Sequence, residues 1–168
     1  RQDPDFKNWP IIREAQMKVF RTVKNTGLAV CLDCGEFNNI HPTDKKEVGN
    51  RLYLQSLSEV YNLADKTETL PALFRNAALE NDRIRLFFDN CSGFCSDSDK
   101  ITGFEIAGSD GAFIPAYAEI DGDTIILRAD FIAPLTGIRY QWTNYAEVNL
   151  FGKNGIPVPT FRSGICLF

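Results

Sequence analysis

Beyond Tyr61 the apolar residues stop recurring at helical spacing, and no other feature limits the fold as much. Short β-rich runs follow instead, at 83–89 (RIRLFFD), 103–106, 124–129 and 138–142. Asn81-Asp82, Ser109-Asp110-Gly111 and Asp121-Gly122-Asp123 separate them, built from residues that tolerate tight or left-handed backbone. Short strands at this spacing, with turns rather than helices between them, predict an antiparallel sandwich or barrel-like module. Thirteen Phe residues supply the flat rings that such sheet layers bury.

The first third reads differently. Ile11, Ile12, Ala15, Val19 and Phe20 recur at helical spacing over 9–23, with Pro10 suited to the first turn. Lys24-Asn25-Thr26-Gly27 is a stop-and-turn signal. The apolar run at 28–32 predicts a buried strand of the parallel-sheet kind, followed by a loop at 33–43 that holds the chain's single histidine, His41. Asp44 is placed to cap a second helix of about four turns, with Val48, Leu52, Leu54, Leu57 and Val60 facing inward. Helix, strand, loop and helix in this order make a piece of an α/β sheet domain. The expected organisation is therefore α/β over 1–66 and a β-sandwich-like module over 67–168, the two packed together.

The formal charge of −4 and the lack of a Lys/Arg cluster exclude a phosphate-binding surface of the nucleic-acid kind. No apolar run approaches the roughly 20 residues of a membrane-spanning helix. Arg1-Gln2-Asp3-Pro4-Asp5 is a polar opening without an initiator Met or signal-peptide pattern, as expected of a chain cut from a longer one. The cysteines are Cys31, Cys34, Cys91, Cys95 and Cys166. A zinc site would pair the Cys31-x-x-Cys34 and Cys91-x-x-x-Cys95 spacings, but in a strand the first pair points to opposite faces and reads better as buried thiols. Cys91 and Cys95 flank a tight turn that a local disulfide would close in an oxidising compartment.

A loop following a parallel strand is where open α/β sheets put their active sites, and a histidine there is placed to act as a general base. A surface histidine without a role fits the same spacing. Arg13 reads as a partner for a loop carboxylate rather than a pocket residue, and Tyr140 and Trp142 as core rather than sugar-stacking rings.

The run Asp33-Cys34-Gly35-Glu36-Phe37-Asn38-Asn39-Ile40-His41-Pro42, with Lys45-Lys46-Glu47-Val48-Gly49-Asn50-Arg51-Leu52 after it, resembles the histidine block of bacterial sialate O-acetylesterases and related carbohydrate acetylesterases. These belong to the SGNH, or GDSL-like, hydrolases. Trp9-Pro10-Ile11-Ile12-Arg13-Glu14-Ala15-Gln16 resembles a helix of the same family. Gly103-Phe104-Glu105-Ile106-Ala107-Gly108, Arg139-Tyr140-Gln141-Trp142 and Pro159-Thr160-Phe161-Arg162 resemble its C-terminal β segment.

The resemblance implies the C-terminal piece of a flavodoxin-like, three-layer SGNH domain followed by an antiparallel β module. It implies a carbohydrate O-acetylesterase of the sialate 9-O-acetylesterase type, without a cofactor, secreted or periplasmic. Its substrate would be acetylated sialic acid or another acetylated carbohydrate. In the family a serine attacks the acetyl ester after a histidine takes its proton, and that base maps onto His41. The family's G-x-S-N serine motif is absent here; Ser92, Ser109 and Ser163 match other blocks. The partner implied is the nucleophile-bearing N-terminal segment of the same enzyme, making a two-chain object. Many SGNH enzymes carry Asp three residues before the histidine, where this chain has Asn38, and Asn39 is often Asp in the resembling sequences. Asp33 is then the candidate to orient His41, with Glu36 a second and a backbone carbonyl a third. The competing reading is a non-catalytic glycan-binding β module on an α/β stalk.

Overall fold

The computed structural model describes residues 7–130, 133–145 and 147–164. Cys166 and the polar opening at 1–5 lie outside them. The chain opens with α1 (Asn8–Thr22) and continues through a long loop to α2 (Lys46–Glu59) and one short turn of helix, α3 (Lys66–Thr69). Ten strands follow: β1 (Leu73–Glu80), β2 (Arg83–Asp89), β3 (Phe94–Cys95), β4 (Phe104–Ala107), β5 (Phe113–Pro115), β6 (Tyr117–Asp121), β7 (Thr124–Arg128), β8 (Gly137–Tyr140), β9 (Phe151–Gly152) and β10 (Phe161–Gly164).

Two four-stranded sheets form, in the orders β1-β2-β7-β6 and β10-β8-β4-β5, with β3 and β9 as a separate pair. Among the described residues every strand pair is antiparallel. In β2 the pleat sends Ile84, Leu86 and Phe88 inward while Arg83, Arg85 and Phe87 face out. The inward residues join Ile125 and Leu127 of β7 and Phe104, Ile106, Ile138 and Tyr140 of the other sheet in one core, so the sheets face each other as a sandwich. Phe74 and Phe161 stack at 4.3 Å, and Phe88 meets Phe94 edge-on at 4.9 Å. Asn81 (φ 56°) and Gly122 (φ 65°) take the left-handed backbone that the two hairpin turns require.

Two expectations fail in the first third. Residues 28–32 form no strand. Their backbone is satisfied by side chains of α2: the Gln55 amide accepts from Leu28 N–H and donates to Leu28 C=O, and Arg51 donates to Val30 C=O. The face of α2 that is buried is accordingly its polar one, Arg51, Gln55 and Ser58. Of the apolar positions expected to point inward, Leu52 (50%) and Val60 (71%) are exposed, and Val48, Leu54 and Leu57 are half-buried. The three-layer arrangement is thus not assembled from the described residues.

Polar contacts fasten this part to the sandwich. Arg13 of α1 donates to Thr160 Oγ1 (2.9 Å) and to the carbonyls of Gln141 (3.1 Å) and Thr143 (2.6 Å). Glu14 takes Arg162 in a two-pronged pair at 2.7 and 2.8 Å, and Asn154 donates to the carbonyls of Thr67 and Leu70. Tyr140 and Trp142 are buried, as core residues.

Candidate functional site

The loop that carries His41 is held at three points, beginning where α2 grips its first residue. Arg51 meets Asp33 with Nη1 on Oδ1 at 2.6 Å and Nη2 on Oδ2 at 2.5 Å. Burial pushes the Asp33 carboxyl up, but the hydrogen bonds and charge of Arg51 outweigh it and hold the group below the usual carboxylate range. The Cys34 thiol lies against the same pair, 3.4 Å from Asp33 Oδ1 and 3.2 Å from Arg51 Nη1. Burial pushes that thiol up to about 12, so it stays protonated and unreactive at neutral pH.

The second hold is Glu36. Its Oε1 accepts from Thr43 N–H at 2.6 Å and Thr43 Oγ1 at 3.0 Å, and its Oε2 accepts from Asn39 Nδ2 at 3.0 Å. Its backbone pairs with Asn39 as well, Asn39 N–H reaching Glu36 C=O at 3.3 Å. The Thr43 and Asn39 bonds hold its carboxyl below the ordinary range, so it is ionised at neutral pH. Asn39 in turn accepts the N–H of His41 on its Oδ1 at 2.9 Å.

The third hold comes from the sandwich, where Tyr145 meets Phe37 edge to face at 5.3 Å. After His41 and Pro42 the chain passes into α2, where Lys45 rather than Asp44 takes the N-cap position and Asp44 Oδ1 accepts from Lys46 N–H at 3.1 Å.

His41 itself is exposed, and its backbone N–H is held by Asn39. Among the described residues no hydrogen bond reaches its imidazole, from Asp33 or from Glu36. Both carboxylates are near it in sequence, but their oxygens are engaged elsewhere, Asp33 with Arg51 and Glu36 with Thr43 and Asn39. The arrangement presents a backbone-anchored imidazole to whatever packs above it. Arg51 stood in the run that resembles the family's histidine block but was given no role; a second signal was its polar pairing with Gln55, four residues apart on one helix face. No group of three or more His, Cys, Asp or Glu among the described residues is placed to hold a metal ion.

The described cysteines remain free thiols. Cys91 Sγ turns to Gly93 C=O at 3.6 Å and Cys95 Sγ to Gly152 C=O at 3.5 Å, so the expected bridge across the turn is not made. Cys34 is buried as expected, while Cys31 is exposed.

No protein-family model and no curated protein matches this chain. Among solved structures, the crystal structure of a carbohydrate acetylesterase from Xanthomonas citri is similar, with a TM-score of 0.83 and 35% sequence identity. The likeness covers 92% of this chain and 36% of that one, so the chain spans about a third of that protein's length.

Proposed function

We propose that this chain is the histidine-bearing part of a carbohydrate O-acetylesterase of the SGNH type, acting on acetylated sialic acid or another acetylated sugar. The observation that carries the reading is the likeness to an acetylesterase over 92% of the chain, at 35% identity. The residue that fits the role is His41, exposed on a loop held by Glu36 and Asn39.

In this reading a serine from the rest of the enzyme attacks the acetyl carbonyl carbon as His41 takes its hydroxyl proton. The tetrahedral intermediate collapses, the bond between the acetyl carbon and the sugar oxygen breaks, and His41 gives the proton to the departing sugar oxygen. Water, deprotonated by His41, then attacks the acyl-enzyme and releases acetate and the free serine. Asp33 serves the histidine at one remove: locked to Arg51, it fixes the start of the loop instead of touching the ring. An SGNH serine–histidine dyad needs no metal or organic cofactor for these steps.

The serine-bearing N-terminal segment is also the natural cover for the helices. Leu52 and Val60 of α2, and Ile11 and Ile12 of α1, are exposed, and such faces belong against a sheet. Completing that sheet would restore the three-layer domain. The family's secreted or periplasmic setting is proposed with it.

The test is His41→Ala in the full-length enzyme, assayed on acetylated sialic acid and acetylated neutral sugars. A fall in kcat on the order of 10³ or more, with KM within a few-fold, is expected. A variant that keeps half the rate would refute the assignment and favour the glycan-binding alternative.

A further inference from the structure

We propose that Glu36 is the positioning residue for His41, closing the loop around the histidine so that the backbone carrying its imidazole is held in one place. The proposal rests on His41 being the base, and goes beyond it in naming what holds that base.

The geometry is a closed ring of contacts with His41 inside it. Thr43 lies two residues after the histidine and Asn39 two before, and both donate to the one carboxylate. Asn39, its amide nitrogen fixed by Glu36, is thereby turned so that its Oδ1 receives the His41 N–H at 2.9 Å. A neutral acceptor would not do the same work. Three donors converge on two oxygens, and hydrogen bonds to an ionised acceptor are shorter and stronger than neutral ones. Substituting the amide puts an NH2 where an acceptor is needed, so one of the donors loses its partner and turns away.

Exposed hydrogen bonds contribute little to overall stability, so the effect of this ring is on placement. Placement matters because catalytic groups only slightly out of line lose large factors in rate. His41 has two tasks, taking the proton from serine and giving it to the leaving oxygen. Protonation is indispensable when a sugar oxygen leaves and is nearly irrelevant when p-nitrophenolate leaves, which is stable as an anion. A misplaced imidazole therefore penalises the sugar ester more than the nitrophenyl ester. A loss of folded enzyme penalises both alike.

The experiment compares wild type, Glu36→Gln, Asn39→Ala and His41→Ala in the full-length enzyme, on p-nitrophenyl acetate and an O-acetylated methyl glycoside. Glu36→Gln should lower kcat on the glycoside on the order of 10²-fold, with KM within a few-fold and the loss on the nitrophenyl ester below about 10-fold. Asn39→Ala should show the same split, which keeps the test alive should Glu36→Gln fold poorly. Equal losses on the two substrates, or no loss on either, would overturn the positioning role. If His41→Ala leaves both rates intact, the esterase reading fails first and this proposal with it.

Discussion

Arg51 holds Asp33 with both arms of its guanidinium, at 2.6 and 2.5 Å, from a helix position where only 4% of its side chain is exposed. The Asp33 side chain keeps 23% exposure, so the pair sits at the edge of the interior. Removing one partner strands the other, which costs about 3–5 kcal/mol when fully buried and less with solvent at hand. Asp33→Asn should therefore lower the opening free energy of residues 28–34 by about 2 kcal/mol, read by hydrogen exchange in the full-length enzyme. Its kcat should fall far less than that of His41→Ala. An equal fall would make Asp33 the direct orienting acid.

The same pair sets a pH dependence. The folded-state carboxyl of Asp33 is lowered, so the stability it contributes is fully present above the unfolded value, about 3.9. That stability is lost as pH drops through the lower, folded value. Exchange at residues 28–34 should accelerate in acid beyond the intrinsic trend, and Asp33→Asn should remove the extra dependence. An unchanged acid dependence in the variant would refute it.

How much of this was legible in the sequence depended on whether a residue's partner was local. β2 and its turns were readable because its run is β-rich, with Ile84 and Leu86 alternating with Arg83 and Arg85 beside Asn81-Asp82. β1 was missed, since Leu73–Glu80 carries Asn, two Ala and Glu, residues with little strand preference, and buries only Leu73 and Phe74. The apolar run at 28–32 looked like a strand because composition cannot reveal that side chains of Gln55 and Arg51 will take its backbone bonds. The histidine loop was legible as a motif. The Glu36 clamp was not, because residues 36 and 43 meet only once the loop has closed.

Gly103 is a point where the β module allows no side chain. Its φ is +92°, and a Cβ there would lie 2.5 Å from Gln141 Nε2, on a residue only 3% exposed. Gly111 shares the positive φ, +72°, but nothing lies within 4 Å of its Cβ position. Gly103→Ala should cost about 3 kcal/mol and Gly111→Ala about 1, measured by urea unfolding. Equal costs would mean that the Gln141 side chain simply moves aside.

The chain by itself should hydrolyse p-nitrophenyl acetate no faster than background. On the proposed reading, the serine and the oxyanion donors that stabilise the acyl-transfer transition state most belong to the rest of the enzyme. Saturable turnover blocked by a serine-directed reagent would show that the chain holds its own nucleophile.

The last prediction concerns which parts of the chain are stable alone. The sandwich carries a continuous core, with Leu86, Ile106, Ile125, Leu127, Ile138 and Tyr140 fully buried. The helical part has no such core: α2 buries Arg51, Gln55 and Ser58 and leaves Leu52 and Val60 to solvent. Polar contacts such as Glu14 with Arg162 moor α1 to the sandwich, but exposed pairs of this kind contribute about 0–1 kcal/mol each. In the chain expressed alone, slow hydrogen exchange should be confined to the sandwich strands, with 28–60 exchanging through local opening. Adding the proposed serine-bearing segment should slow exchange across 28–60, because covering the apolar faces couples their order to binding. A monomeric chain with slow exchange throughout 28–60 would show that this part needs no cover, and the two-segment esterase would lose its structural rationale.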